Sequence, residues 1–239
     1  MVPGKITPYG YGISSEKVER EKGIRPNVGK ETYTYFLRFS YTEEVSLSKT
    51  AVKEQVICSV DLGINTDAVC SIMRTDGTIL ERKFINFTSD KDHLYHVFGR
   101  IRRFQREHFS RQVQSRWNYV KRLNMELSRK IAAAITKCAI EYQADVIVFE
   151  YLEMQGKLSG KKKQKLHLWR KRDIQKLCEH QAHRNGIRVS RVSAQNTSRL
   201  ACDGSGAVVR NPENHSLCTF QTGKQYNCDL SASYNIGAR

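Results

Sequence analysis

Residues 56–63 read Val-Ile-Cys-Ser-Val-Asp-Leu-Gly, an apolar run that ends in a carboxylate. A short apolar run bounded by a turn signal predicts a buried strand, here over residues 55–61. A carboxylate at the end of such a strand stands at the edge of a sheet, where it can meet a ligand. Asp61 is therefore the first candidate for a functional residue.

Two further carboxylates occupy comparable positions. Glu150 ends the apolar run Val-Ile-Val-Phe, and Asp229 opens the stretch Asp-Leu-Ser-Ala-Ser-Tyr-Asn-Ile. Three such groups that converge on one point form an all-oxygen site of the kind that Mg²⁺ or Mn²⁺ prefers. Each carboxylate also has a purely structural explanation. Asp61 would simply precede a turn in which Gly63 adopts a positive φ, Glu150 would belong to a hydrogen-bond network, and Asp229 would be a helix N-cap.

The order of the elements predicts an α/β fold. Alternating and apolar runs predict strands, and the apolar period of about 3.6 residues predicts helices. The predicted strands are 31–43, 55–61, 67–73, 79–87, 145–150 and 187–192; the predicted helices are 91–142 with a break near 108–118, 164–185, and one beginning at Asp229. Gly186 is expected to cap the second helical segment, and residues 195–228 are expected to be an irregular insert.

Three meandering strands, a helical insertion and two strands that alternate with helices describe an RNase H-like mixed sheet. In that architecture the first and fourth core strands lie side by side. Asp61 and Glu150 would then be neighbours, and the functional hypothesis depends on this adjacency.

The charge balance points to a polyanionic partner. The 239 residues contain 40 Lys and Arg against 24 Asp and Glu, a formal net charge of +16. Such a surplus favours nucleic acid, because each neutralised phosphate releases counterions. The cations cluster, with ten between residues 99 and 130 and nine between 157 and 176. The candidate nucleic-acid contacts are Arg100, Arg102, Arg103, Arg106, Lys161, Lys162, Lys163 and Lys165.

The sequence gives no indication of a membrane partner or a disulfide framework. No apolar stretch approaches the roughly 18–20 residues that a spanning helix requires, and the first residues lack the apolar core of a signal peptide. Seven scattered cysteines do not suggest paired thiols. We therefore expect a cytoplasmic, nucleoid-associated protein in a reducing compartment, in which Cys58, Cys70, Cys138 and Cys178 are core residues.

Three motifs together resemble the split motifs of a RuvC-type nuclease domain. They are Ser-Val-Asp-Leu-Gly-Ile-Asn around Asp61, Ile-Val-Phe-Glu-Tyr-Leu around Glu150, and Cys-Asp-Leu-Ser-Ala-Ser-Tyr-Asn-Ile around Asp229. With Asn196-Thr197-Ser198, they resemble more narrowly the transposon-encoded TnpB nucleases and the related type V CRISPR effectors. The resemblance covers residues 31–239.

The resemblance implies an RNA-guided DNA endonuclease with a two-metal site. Asp61 would bridge two Mg²⁺ or Mn²⁺ ions, and Glu150 and Asp229 would hold one each, so that one ion activates water and the other stabilises the leaving oxygen. In the family an arginine from the ribbon lobe reaches the scissile phosphate. Arg210 matches it by approximate position, and a solvated surface arginine is the alternative.

In the family, a zinc ribbon with two Cys-x-x-Cys pairs usually lies between the second and the third motif, and this chain departs from that pattern. Cys202 and Cys218 stand where the first cysteine of each pair is expected, but neither is followed by the second cysteine of its pair. Cys228 and His215 could complete a set of four ligands, but the spacing is not that of a zinc ribbon. We expect a zinc-free remnant that is stabilised by packing.

The predicted organisation is a remnant over 1–54, which could end an oligonucleotide-binding wedge domain; a RuvC-like core over 55–194, with its helical insertion at about 91–142; a degenerate ribbon over 195–228; and a final motif helix over 229–239. The family also has a recognition lobe. The chain is therefore expected to be a fragment, a split polypeptide whose lobe acts in trans, or a reduced member.

Three alternatives stay open at this stage. An autonomous RuvC or RNase H-type nuclease would use the same carboxylates without a guide. A catalytically silent nucleic-acid binder would keep the basic surface, although the presence of all three carboxylates argues against it. A sugar-kinase or actin-like ATPase would need a second Asp-x-Gly loop and a glycine-rich adenosine motif, and the sequence has neither.

Overall fold

The computed structural model describes residues 19–23, 32–36, 44–107, 110–151, 162–214 and 216–239, with backbone alone at 19–23, 32–36, 110–112 and 162–169. The chain forms two compact units that divide between Ser46 and Leu47. The described part of the first is an antiparallel hairpin of β1 (Glu19–Gly23) and β2 (Thr32–Phe36). The predicted strand over 31–43 is confirmed at β2, and residues 31 and 37–43 lie outside the described residues. The sequence did not predict β1, because Glu-Arg-Glu-Lys-Gly has no apolar face.

The second unit is built on a five-stranded mixed sheet. Its strands, which follow a 3-10 turn at Val52–Glu54, are β3 (Val56–Asp61), β4 (Ala68–Arg74), β5 (Ile79–Ile85), β6 (Val146–Glu150) and β7 (Arg188–Val192). The spatial order is β5-β4-β3-β6-β7. The first three strands pair antiparallel, whereas β6 pairs parallel with both β3 and β7. The predicted meander and the predicted adjacency of β3 and β6 are confirmed.

Two helices connect β5 to β6, and a third connects β6 to β7. They are α1 (Thr88–Arg106), α2 (Ser110–Glu141) and α3 (Lys162–Arg184). The boundary between α1 and α2 lies at the start of the predicted break. α3 is followed by Gly186, whose φ of 74° is the left-handed conformation expected of a helix-capping glycine.

The two faces of the sheet bury different partners. Residues of one parity, such as Cys58, Val60, Ile147 and Phe149, form the main core with α2 and α3. Residues of the other parity face α4 (Cys228–Gly237), where Ile236 packs with Val146 and Val148. A separate small core joins α1 to the first half of α2.

The cysteines follow the sequence prediction. All seven are free, and Cys58, Cys70, Cys138 and Cys178 are each 0% exposed in the main core. No helix in the described part of the chain is long and apolar enough to cross a membrane.

The predicted irregular insert is partly ordered, which corrects the sequence interpretation. It contains a three-stranded antiparallel sheet of β8 (Val209–Arg210), β9 (Leu217–Thr219) and β10 (Gln225–Asn227). Strands of two or three residues are too short to give an alternating signal, and their hydrogen bonds across the insert define them instead. A small apolar cluster that includes Cys218, Phe220 and Cys228 packs beneath them.

A buried ion-pair network joins α3 to the start of β4. Asp67 and Arg170 are 1% and 3% exposed, and the carboxylate Oδ1 lies 3.7 Å from the guanidinium Nη2. The other oxygen accepts a hydrogen bond of 2.8 Å from the Phe87 amide and lies 3.6 Å from Lys91 Nζ. Separating the partners of a buried ion pair leaves an unpaired charge in an apolar interior, which is strongly destabilising. The network therefore holds α3 beside the loop that follows β3.

A glycine at the end of α4 permits the close approach of that helix to the sheet. A Cβ placed on Gly237 would lie 2.9 Å from Ser59 Cβ and would also contact Met73 Sδ. We predict that Gly237→Ala lowers the free energy of unfolding by about 1–3 kcal/mol, because overpacking outweighs the higher helix propensity of alanine. Urea unfolding measures this, with Gly99→Ala as the control, since a Cβ at Gly99 on α1 meets no atom within 4 Å.

Candidate active site

Asp61 and Glu150 end two neighbouring parallel strands in the same register. Val60 on β3 pairs with Phe149 on β6, so the next position along each strand holds a carboxylate. Side chains at matching positions of adjacent strands lie on the same face of a sheet. Both carboxylates share the parity of Ser59 and Val148, which is the parity of the α4 face.

The third carboxylate reaches that face from α4. Asp229 lies in the first turn of this helix, and Ser233 Oγ, one turn later, lies 2.5 Å from Ser71 Oγ on β4. The interpretation of Asp229 as the N-cap is wrong, because Asn227 occupies that position and its side chain accepts a 2.9 Å hydrogen bond from the Leu230 amide. Asp229 is therefore not used for capping.

The turn after Asp61 also differs from the sequence interpretation. Gly63 does not have a positive φ, so a left-handed backbone conformation is not the reason for a glycine at this position. A Cβ at Gly63 would instead lie 2.5 Å from the Thr66 carbonyl oxygen. The glycine lets the loop fold back on itself immediately beyond the first carboxylate.

The carboxylates influence one another electrostatically. The pKa of Asp61 is raised to about 7, first by burial and then by the negative charges of Glu150 and Asp229. Two cations, Lys171 and Arg210, act in the opposite direction. Burial also raises the pKa of Asp229, and the same two cations oppose that shift. Burial is thus the main cause of both shifts, and repulsion from the other two carboxylates adds to the shift of Asp61.

Arg210 lies on β8, where it is exposed and its Nη2 donates to the Ser198 carbonyl at 3.4 Å. The structure brings its charge within range of both aspartates. Lys171, which sequence reasoning missed, is half-buried on α3, directly after Arg170 and one turn before Gln175. Its only sequence signal was its place in the second basic cluster, which does not indicate which cation faces the carboxylates.

Glu150 has contacts that sequence reasoning also missed. Its Oε1 accepts a hydrogen bond from the Thr197 hydroxyl, and its carbonyl accepts one of 2.8 Å from Gln175 Nε2 on α3. Thr197 belongs to the Asn-Thr-Ser step that supports the family resemblance, but the step carries no indication of a contact 47 residues away.

The donor set suits a divalent cation, although the side chains are not in closed ligand geometry. In the part of the chain that the structure describes, no three His, Cys, Asp or Glu side chains are close enough together to hold a metal ion as they stand. The chemistry fits nevertheless: Asp61, Glu150 and Asp229 offer only carboxylate oxygens, which Mg²⁺ and Mn²⁺ prefer, and after burial the negative charges of Glu150 and Asp229 contribute to the raised pKa of Asp61.

The first basic cluster presents its arginines to solvent. Arg100, Arg102, Arg103 and Arg106 are all exposed on α1, and the first three line a cavity of about 400 Å³ with Tyr95 and His96. Lys161 lies outside the described residues, and the side chains of Lys162, Lys163 and Lys165 are not described.

The candidate zinc ligands belong to the packed cluster of the insert. Cys218 and Cys228 are buried there and Cys202 packs against them, while His215 lies outside the described residues. Burial, with the neighbouring Cys228 thiol, raises the pKa of Cys218 to about 12.

Several solved structures are similar to this chain, among them the following three. A CRISPR-Cas12f ternary complex matches with a TM-score of 0.58 and 16% identity, over 92% of this chain and 44% of that chain. A Cas12f1–sgRNA–target DNA complex matches with 0.52 and 17%, over 76% and 49%. The mini-RNA-guided endonuclease CRISPR-Cas phi3 matches with 0.52 and 13%, over 76% and 44%. No protein-family model matches the sequence, and no curated protein matches it.

What this chain shares with these structures is the fold. It has the mixed α/β fold found in type V CRISPR effectors, and the expected similarity to that group is confirmed for the fold. The chain spans less than half the length of each of the three chains it matches.

Proposed function

We propose that this chain is a metal-dependent nuclease domain that hydrolyses DNA phosphodiesters under the direction of a guide RNA, as part of a TnpB-like or type V CRISPR effector. The observation that carries the proposal is that Asp61 and Glu150 end adjacent strands on the face of the sheet that α4 covers, and that the charges of Glu150 and of Asp229 on α4 both act on Asp61. The strand order β5-β4-β3-β6-β7 supports an RNase H-like, RuvC-type core.

The chain's own residues would position the reactants. Asp61, Glu150 and Asp229 would hold Mg²⁺ or Mn²⁺, which, when bound, would activate a water molecule and stabilise the leaving oxygen. The rigid ends of β3 and β6 hold two carboxylates, and the packed face of α4 holds the third. Lys171 and Arg210, whose charges already reach the carboxylates, would turn to the phosphate when a cation takes over the neutralisation.

The guide and the target DNA are proposed as partners because one of the similar structures is a Cas12f1–sgRNA–target DNA complex and another is an RNA-guided endonuclease. Base pairing would select the sequence, and the protein would contact phosphates. A recognition lobe, supplied in trans or by a longer polypeptide, would complete the guided nuclease. We propose that the nuclease acts in the cytoplasm, at the nucleoid.

The test of guidance is to purify the chain after expression with its flanking genomic RNA and to sequence the bound nucleic acid. A defined RNA that is required for cleavage of complementary DNA supports the proposal. Mg²⁺-dependent cleavage without any RNA requirement would support the autonomous nuclease instead. Binding without cleavage under both conditions would support the silent binder.

The exposed arginines of α1 give a prediction about salt. We expect Arg100, Arg102 and Arg103, replaced together by alanine, to reduce the slope of log binding constant against log salt by about 2–3, since each phosphate contact contributes about 0.7–0.9. Fluorescence anisotropy with single-stranded DNA measures the slope. The control replaces Lys49, Lys53 and Lys137, which are exposed elsewhere. Equal slopes in the two variants would contradict a role of α1 in nucleic-acid binding.

A further inference from the structure

The segment 193–202 follows β7 and contacts two of the elements that carry carboxylates. These are β6, which carries Glu150, and α4, which carries Asp229. Asn196 has a φ of 66°, a left-handed conformation that asparagine tolerates, and the turn there directs Thr197 inward. Thr197 is 1% exposed.

On one side the segment holds Glu150. The Thr197 hydroxyl is within hydrogen-bond distance of the Glu150 Oε1 and lies 3.1 Å from the Ala194 carbonyl oxygen. A hydroxyl has a single proton, and an ionised carboxylate is the stronger acceptor. The hydrogen bond to Glu150 therefore dominates and restricts rotation of that carboxylate.

On the other side the segment is held by α4. Asn235 uses both amide protons on it, donating to the Thr197 carbonyl at 2.9 Å and to the Leu200 carbonyl at 2.8 Å. Ser231 Oγ accepts a 3.2 Å hydrogen bond from the Cys202 amide. Arg239 Nη1 donates to the Ser193 carbonyl at 2.8 Å. The helix that carries Asp229 is thus attached to the segment by three hydrogen bonds, and Arg239, just beyond the helix, adds a fourth.

We propose that the segment 193–202 sets the Glu150 carboxylate relative to Asp229, with Thr197 and Asn235 as positioning residues for the cation site. The inference rests on the proposed function for the identity of the ligand. Thr197 acts through Glu150, and Asn235 acts through Thr197. Groups that orient metal ligands in this way typically contribute 10–100-fold to metal affinity.

The first experiment titrates Mn²⁺ alone into the full chain by calorimetry. Thr197→Val removes the hydroxyl at nearly constant volume and is expected to weaken Mn²⁺ binding about 10–100-fold. Thr197→Ser keeps the hydroxyl and should bind as the wild type does. Thr222→Val is the matched control, because its hydroxyl contacts the Asp203 carboxylate at 3.4 Å on the exposed insert. Asn235→Ala should weaken binding too, with little further loss in the double variant with Thr197→Val.

A second measurement tests the contact between Thr197 and Glu150 in the absence of metal. In a double-mutant cycle of Thr197→Val and Glu150→Gln followed by urea unfolding in EDTA, the pair should be coupled by about tenfold in the unfolding equilibrium constant.

The outcomes separate the two proposals. Wild-type affinity for Mn²⁺ in Thr197→Val would overturn the inference and leave the proposed function intact. A wild type that binds Mn²⁺ no better than Asp61→Ala would overturn the proposed metal site. In that case additive effects in the cycle would also overturn the positioning contact, whereas coupling would sustain it.

Discussion

Asp61→Ala is expected to reduce Mg²⁺-dependent cleavage of DNA at least about 1,000-fold, equivalent to about 4 kcal/mol of transition-state stabilisation. Asp61 is the carboxylate on which the negative charges of Glu150 and Asp229 both act. Its loss should therefore remove the ligand that the other two cannot replace. Initial rates on a labelled strand, with the guide RNA if one is required, measure the effect.

Nucleic-acid binding should survive the same substitution, because the basic residues are untouched and one acidic group is lost. Asp76→Ala is the matched control: Asp76 lies in the exposed turn between β4 and β5, where Oδ1 accepts a 2.8 Å hydrogen bond from the Thr78 amide. Cleavage by Asp61→Ala at the rate of the control would show that the chemistry takes place elsewhere.

Asp61→Asn is expected to stabilise the metal-free protein at neutral and higher pH. In the folded chain the pKa of Asp61 is about 7, against 3.8 for an ordinary aspartate. Between these values the folded state retains a proton that the unfolded state has released, so the stability of the wild type falls as pH rises from about 4 to 7. The full effect would be about 4 kcal/mol, and solvent screening of a half-buried group should leave roughly 2 kcal/mol.

Urea unfolding in EDTA at pH 4, 6 and 8 measures this prediction. The variant should match the wild type at pH 4 and exceed it at pH 8, and Mn²⁺ should then stabilise the wild type alone. Asp76→Asn serves as the control with the opposite sign, because hydrogen bonds from Thr78 lower the pKa of Asp76. Identical pH dependence in the wild type and Asp61→Asn would contradict the electrostatic description of the site.

The sequence predicted the sheet well because its signals are local. β3 and β6 are apolar runs of five or six residues that end in carboxylates, and their order along the chain limits the possible topologies. The helical segments followed from the apolar period. β1 and the short strands of the insert gave no such signal, because charge or brevity conceals their alternation.

The site was only partly predictable for a related reason. The three carboxylates could be named from their positions at the ends of elements, and Arg210 from a resemblance. Lys171 and Thr197 could not be assigned roles, since their contacts depend on how α3 and the segment 193–202 pack against β6. Asn227 displaced Asp229 as the N-cap because both residue types are suitable, and only the backbone decides between them.

The parallel pairing of β3 with β6 has a consequence for biogenesis. The two strands are separated in the chain by β4, β5 and both connecting helices, and pairings between such distant segments are slow to form. The helix α4, which carries Asp229, follows all five strands along the chain. We therefore expect the set of carboxylates to be completed late in folding, so that a partly folded chain with its basic helices formed would hold nucleic acid before it could cut it.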